Sequence, residues 1–197
     1  MKKLFLLLSI AVCCIVNASA QELTKKQFCI YFGQPKMVTT STMVQSAIIE
    51  FDHSGRVLSK TMGPMKVVYS WSDDGKSIKC TGYNNGETIG TTNVRIFELS
   101  EKRYSYESDG VSYVVTFREN GSINKVTMSG NGQSVSQTYY YESSDDYYPN
   151  KIVMSGGGQS MTTTFSNLKT DSQGNAISII QSAQGQSMSS TSSIIYY

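Results

Sequence analysis

The sequence predicts an all-β protein, an antiparallel up-and-down meander of about 10–13 strands built from degenerate repeats of about 20–26 residues. Three observations support this fold class. Apolar residues recur at every second position in several segments. Glycines that are flanked by other turn-forming residues recur at a spacing of about eleven residues, and one fifteen-residue segment occurs twice in similar form. A spacing of about eleven residues corresponds to one strand and one turn.

The chain begins with the layout of a secretory signal peptide. Two lysines precede an apolar run over residues 4–16, and the small-residue pattern Ala-Ser-Ala follows at 18–20. The apolar run is too short to span a bilayer as a helix. We therefore predict a signal peptide over 1–20, cleaved before Gln21, and a single β domain over 21–197. The alternatives are an uncleaved anchor and a lipoprotein signal with the lipid on Cys13 or Cys14.

The charge of the exported part is balanced. Residues 1–20 contain two lysines and no acid, so fifteen basic and fifteen acidic residues remain after cleavage. An evenly mixed, neutral surface has no electrostatic footprint for nucleic acid or for anionic lipid. We expect no nucleic-acid partner.

Two cysteines, Cys29 and Cys80, remain after cleavage. In an oxidising compartment they can form a disulfide, which would stabilise the fold by about 4 kcal/mol in the chain-entropy model. The other interpretation is two buried free thiols, since cysteine is among the most buried residue types.

Strands with one apolar and one polar face follow along the chain. Met65, Val67, Tyr69 and Trp71 alternate in one of them. The same period occurs in 111–117, 133–141 and 159–165. This alternation is typical of antiparallel strands that cover a core. It leaves open whether the sheet closes into a barrel, folds into a sandwich or stays a single layer.

The repeated phrase predicts hairpins. Residues 125–139 read KVTMSGNGQSVSQTY and residues 151–165 read KIVMSGGGQSMTTTF, with eight of fifteen positions identical. Asn-Gly and Gly-Gly allow the positive φ angles that two-residue hairpin turns need. The shared Gly-Gln-Ser therefore marks a turn, and the two copies are halves of one recurring unit.

A second phrase places an aromatic residue four positions before a glycine, as in FDHSGRV from Phe51, WSDDGKS from Trp71, YESDGVS from Tyr106 and FRENGSI from Phe117. Over residues 51–78 the chain resembles YD-repeat proteins of the RHS-like kind. Their units run aromatic, Asp, two variable residues, Gly, Arg and an aliphatic residue. The resemblance implies a secreted β-meander and no particular activity. No unit here has the literal Tyr-Asp pair.

The sequence contains no motif that is typical of a particular enzymatic reaction. His53, the only histidine, lies in a turn, so no Ser-His or Cys-His arrangement is available. The acidic side chains lie mainly in turns, where capping explains them, at Asp73, Asp74, Asp109, Asp145 and Asp146. No calcium loop, phosphate loop or zinc pattern occurs. We expect no catalysis, no cofactor and no bound metal.

One stretch, residues 138–151, groups tyrosines around an acidic loop. Tyrosine offers a flat apolar face with a polar tip, which suits a glycan or a protein partner. The alternative is that these side chains face the core or anchor the loop. The candidate binding residues are Tyr139, Tyr140, Tyr141, Tyr147 and Tyr148.

These observations favour an exported, non-catalytic binding or structural module of the cell envelope or the extracellular space, periplasmic, surface-bound or secreted, whose partner would be a glycan or an envelope protein. An alternative is a small outer-membrane β-barrel, which the exported meander and the terminal Tyr197 would suit. Membrane association is therefore left open. A glycan-active enzyme is a third hypothesis, although no spacing of carboxylates indicates it.

Overall fold

A computed structural model describes residues 31–43 and 45–197. The predicted signal peptide and Cys29 lie outside the described residues. All regular structure in the described ranges is β-strand, and no helix there is long and apolar enough to cross a membrane. The strands are β1 Pro35–Thr42, β2 Ser46–Phe51, β3 Val57–Met62, β4 Met65–Trp71, β5 Ser77–Asn84, β6 Glu87–Ser100, β7 Arg103–Ser108, β8 Val111–Phe117, β9 Ile123–Gly130, β10 Gln133–Tyr140, β11 Lys151–Gly156, β12 Gln159–Thr170, β13 Ala176–Ala183 and β14 Gln186–Tyr196.

Each strand pairs antiparallel with the next, and β1 pairs with β14, so the sheet closes into a barrel. The predicted all-β meander is confirmed. The described part of the chain has fourteen strands, slightly more than the predicted range. Three connections contain no glycine and are therefore not marked by its spacing, at residues 43–45, 101–102 and 141–150.

The connections differ between the two ends of the barrel. At one end, which we call the hairpin end, seven short turns join the strands in pairs, at residues 43–45, 63–64, 85–86, 109–110, 131–132, 157–158 and 184–185. The other end, the loop end, carries mostly longer connections, at 52–56, 72–76, 101–102, 118–122, 141–150 and 171–175. Residues 31–34 and Tyr197 also lie at the loop end.

The two repeated phrases correspond to these two ends. Asn131 and Gly132, in the first copy of the phrase, have φ angles of 52° and 73°, as a two-residue hairpin turn requires. At the loop end, the Asp52 carboxylate accepts hydrogen bonds from the backbone N–H groups of Ser54 and Arg56, both at 2.9 Å. Asp171 caps its turn in the same way. The resemblance to YD-repeat proteins stays a prediction.

Side chains along each strand alternate between the inside and the outside of the barrel. The inward ones form a large core on β4–β11 and a smaller one around Val38 and Phe51 near the loop end. Most buried apolar side chains lie in the half of the barrel near the loop end. The core is therefore placed asymmetrically along the barrel axis.

The outward face is polar. Its exposed apolar members are scattered and include Leu58, Tyr140 and Ile195, with Phe97 and Leu99 together on β6. Charged side chains point outward on β4 to β11 at Lys66, Lys79, Arg95, Arg103, Glu107, Lys125 and Lys151. On β10 to β14 the outward side chains are mostly hydroxyl groups, at Ser134, Ser136, Thr138, Ser155, Ser160, Thr162, Thr164, Ser166, Ser178, Ser182, Ser187, Ser189, Thr191 and Ser193.

Candidate functional site

The five predicted binding tyrosines do not form one surface. Tyr139 is 4% exposed, faces the core and donates a hydrogen bond to Gln137 Oε1 at 3.0 Å. Tyr140 is its outward neighbour and is 43% exposed, with Lys151 Nζ 4.3 Å from the ring centroid. These two adjacent tyrosines therefore lie on opposite faces of the sheet.

The other three tyrosines hold the loop 141–150 against its neighbours. The hydroxyl of Tyr141 donates to the Ile123 carbonyl at 2.5 Å. Tyr147 meets Phe32 edge to face with the ring centroids 5.0 Å apart. Tyr148 donates to the Gly174 carbonyl at 3.0 Å and accepts from the Ala176 N–H at 2.7 Å. Each of these contacts anchors the loop, and Tyr141 also packs against the large core.

Arg118 fixes the same loop from the neighbouring turn. Its guanidinium donates to three backbone carbonyls, those of Ser143, Ser144 and Asp146, at 2.8–3.0 Å. The guanidinium also lies over the Tyr141 ring, 3.9 Å from its centroid. Burial raises the pKa of Tyr141 above the ordinary tyrosine value, although Arg118 acts in the opposite direction. We call the loop 141–150 the floor, because it packs across the loop end.

A second set of bonds joins the chain ends at the loop end. Asn175 is fully buried, and its amide binds both the N–H and the carbonyl of Phe32, at 2.7 and 2.9 Å. It also donates to the Tyr196 hydroxyl at 2.8 Å. Asn175 therefore connects residues 31–34 to β13 and β14.

The turn residues considered for chemistry have structural roles. The exposed His53 imidazole stacks on the Tyr197 ring at 3.7 Å. Hydrogen bonds from the Ser72 hydroxyl and the Lys76 N–H lower the pKa of Asp74. Within residues 31–43 and 45–197, no three His, Cys, Asp or Glu side chains are grouped so that they could hold a metal ion.

The hairpin end differs from the loop end in its inward side chains. Five methionines point into the barrel there and are half-buried, so solvent reaches this part of the interior. Sequence reasoning missed this feature. The sequence pattern that could have revealed it is the repetition of Met-Ser-Gly and Gly-Gln-Ser-Met on either side of the hairpin turns. The residues are Met62, Met65, Met154, Met161 and Met188.

Cys80 also faces inward, opposite Tyr69 and Thr92 in the register of β4–β6. It packs against the large core and is half-buried. Burial raises the pKa of the Cys80 thiol to about 11. Its predicted disulfide partner, Cys29, lies outside the described residues, so the pairing stays a prediction.

A shallow polar depression lies outside the barrel on β6–β8, with Arg95, Glu107 and Asp109 in its lining. The Asp109 carboxylate accepts a hydrogen bond from the Thr92 hydroxyl. Arg95 and Glu107 are exposed. The lining of the depression contains no aromatic side chain.

Comparison with known proteins shows the fold alone. A porin-like protein from Bacteroides vulgatus ATCC 8482 aligns over 84% of this chain and 99% of its own, with 12% identity and a TM-score of 0.50. A porin-like protein from Bacteroides uniformis ATCC 8492 aligns over 84% of this chain and 98% of its own, with 9% identity and a TM-score of 0.33. No family model matches the chain, and no curated protein matches it.

Proposed function

We propose that the protein is an exported, non-catalytic binding module that faces water and takes its ligand into the barrel from the hairpin end. One observation carries the proposal. The outward face of the barrel is mostly polar, whereas the inward face is apolar near the loop end and carries half-buried methionines among uncharged polar side chains at the hairpin end. Barrels of this size can enclose a ligand, and pockets are frequent in the mouths of β-barrels.

The polar outward face is the reverse of what a membrane barrel needs. Lipid-facing strands require an apolar band about 25 Å tall, and a Lys or Arg at the bilayer midplane costs about 2–4 kcal/mol. Here β12 presents Ser160, Thr162, Thr164 and Ser166 outward, and β14 does the same with Ser and Thr. Such strands suit water.

An outer-membrane β-barrel is the second candidate, and architecture favours it. The closed meander has an even number of strands, short turns at one end and longer connections at the other, all of which occur in such barrels. The likeness to the Bacteroides vulgatus protein supports the same barrel architecture. The closed fourteen-stranded barrel and the porin-like neighbour support this candidate better than they support the water-facing binding module. The outward side chains count against a lipid environment.

Fractionation of the native producer separates the two candidates. We expect the protein to be released without detergent, by osmotic shock or into the medium, and to stay monodisperse on size exclusion. Membrane pelleting that resists alkaline carbonate, together with gel mobility that changes on boiling, would instead establish the second candidate.

A further inference from the structure

We propose that the five inward methionines of the hairpin end line a binding slot for an unbranched apolar chain, such as the acyl chain of a fatty acid. We call this lining, on β11–β14 and β3–β4, the methionine arc. The inference rests on the proposed water-facing binding module and names the ligand class of that site.

The arc is built by the strand register. Met62 and Met65 are opposite each other in the β3–β4 hairpin, and Met154 is opposite Met161 in β11–β12. Met188 on β14 is opposite Gln181 on β13. Six of the eight described methionines point inward, these five and the buried Met128.

Solvent access distinguishes the arc from the core. Near the hairpin end, the inward Met161 on β12 and Met188 on β14 are half-buried. On the opposite side of the barrel, the interior is filled by buried aromatic side chains, at Tyr104, Tyr106 and Tyr139. The floor and Asn175 are held at the loop end by hydrogen bonds to Arg118 and Phe32. A ligand therefore enters from the hairpin end and lies beside the aromatic core.

The chemistry of the lining favours a neutral apolar chain. On the hairpin half of β12–β14, the inward side chains other than the methionines and Ala183 are polar and uncharged, at Gln159, Thr163, Gln181, Gln186 and Ser190. Lys60 lies deeper, is 5% exposed and is already engaged. Methionine is unbranched, flexible and polarisable, so it adapts to a chain with many conformers. A charged head group would remain in water at the mouth.

Titration of the exported protein with the fluorescent fatty acid cis-parinaric acid tests this proposal. We expect saturable binding with one probe per barrel. We expect the double variants Met154→Gln/Met161→Gln and Met62→Gln/Met65→Gln to bind about tenfold or more weakly, because a buried amide without a partner opposes an apolar chain. Met37→Gln is the matched control, since Met37 lies on the outward face of β1.

Equal binding by the control and both double variants, each shown to be folded by urea unfolding, would overturn the proposal, as would failure of the wild type to bind the probe. Native mass spectrometry of protein from its producer separates this failure from that of the proposed function. A bound lipid mass supports the proposal. A bound non-lipid mass, such as a saccharide, overturns the ligand class and leaves the binding module standing, whereas carbonate-resistant membrane integration refutes the water-facing module itself.

Discussion

Arg118 fixes the longest connection of the barrel together with Asn120, whose side-chain amide donates to the Ser144 and Asp146 carbonyls at 3.0 Å. Arg118 stands in the second position of the phrase FRENGSI, where the other units have Asp, Ser or Glu. Its planar guanidinium reaches three carbonyls and one ring at once, which a point charge on a flexible stem does not reproduce. Arg118, the residue that departs from the repeated phrase, is therefore one that orders the floor.

Replacing Arg118 by Ala should lower the free energy of unfolding by about 1–2 kcal/mol, because the half-buried Asp146 carbonyl and the exposed Ser143 and Ser144 carbonyls lose a charged donor. Urea unfolding measures this change. Arg118→Lys should recover only part of it. The exposed Arg103 on β7 provides the control, since Arg103→Ala should change stability by less than about 0.5 kcal/mol. A loss at Arg118 no larger than at Arg103 would contradict this role.

Cys80 should react slowly with iodoacetamide in the folded protein. The thiolate is the reactive form, and a pKa of about 11 in place of 9.0 leaves about a hundredfold less thiolate at pH 8. The rate should therefore rise about tenfold per pH unit until the pH approaches 11. The variant Cys29→Ser makes Cys80 the only thiol of the exported chain, and the same variant in urea gives the unperturbed rate.

Equal rates in the folded and unfolded variant would contradict the inward placement of Cys80. The same assay on the unreduced wild type, unfolded in urea, tests the predicted disulfide. Two reactive thiols would exclude a bridge between Cys29 and Cys80.

At the scale of the element, the hairpin turns explain why the chain repeats a phrase. Asn131-Gly132, Gly157-Gly158 and Gln184-Gly185 occupy equivalent turns with both residues at positive φ. Glycine and asparagine tolerate this conformation, whereas glutamine at 52° is strained. The repeat therefore preserves a backbone geometry that three hairpins share.

Exchanging the first turn residue between two of these hairpins tests this explanation. Gln184→Asn should stabilise the protein by about 0.5–1 kcal/mol, and Asn131→Gln should destabilise it by a similar amount. Both positions have a positive φ angle, and asparagine adopts this conformation at a lower cost than glutamine does. Both residues are exposed at the hairpin end. Thermal unfolding of the two variants measures the difference, and shifts of the same sign in both would refute the shared geometry.

At the scale of the whole molecule, closure depends on β1 and β14. Their register runs from the pair Pro35 and Tyr196 to the pair Thr42 and Ser190, and the Tyr197 N–H donates to the Gln34 carbonyl at 3.1 Å. The two ends of the described chain therefore lie side by side. A barrel has no free sheet edge once this seam forms.

A circular permutant should therefore fold. Joining residue 197 to residue 31 through a short glycine-serine linker and opening the chain between Gly157 and Gly158 should keep stability within about 1–2 kcal/mol of the wild type, because loop tips tolerate breaks. Opening the chain in the floor, between Ser144 and Asp145, should destabilise it more, since Arg118 binds both sides of that break. Circular dichroism and urea unfolding compare the two, and equal stability would contradict the importance of the floor.

The sequence by itself determined the strands and many of their turns. Alternation in 65–71 and positive-φ residues such as Asn131 and Gly132 act within a few neighbouring residues, so one chain segment contains the whole signal. The same local signals could not assign the five tyrosines, because Tyr139 and Tyr140 look alike in sequence and face opposite sides of the sheet.

Only the tertiary structure decided closure, the anchoring of the floor and the grouping of the inward methionines. The contact between Phe32 and Asn175 spans 143 positions of sequence, and β1 meets β14 across the whole described chain. Alternation with a period of two indicates that a strand has one apolar and one polar face. It does not indicate which side chains from different strands meet inside the barrel. That is set by the register of fourteen strands around a closed sheet, because a side chain's neighbours across strands are fixed by pairing and not by distance along the chain.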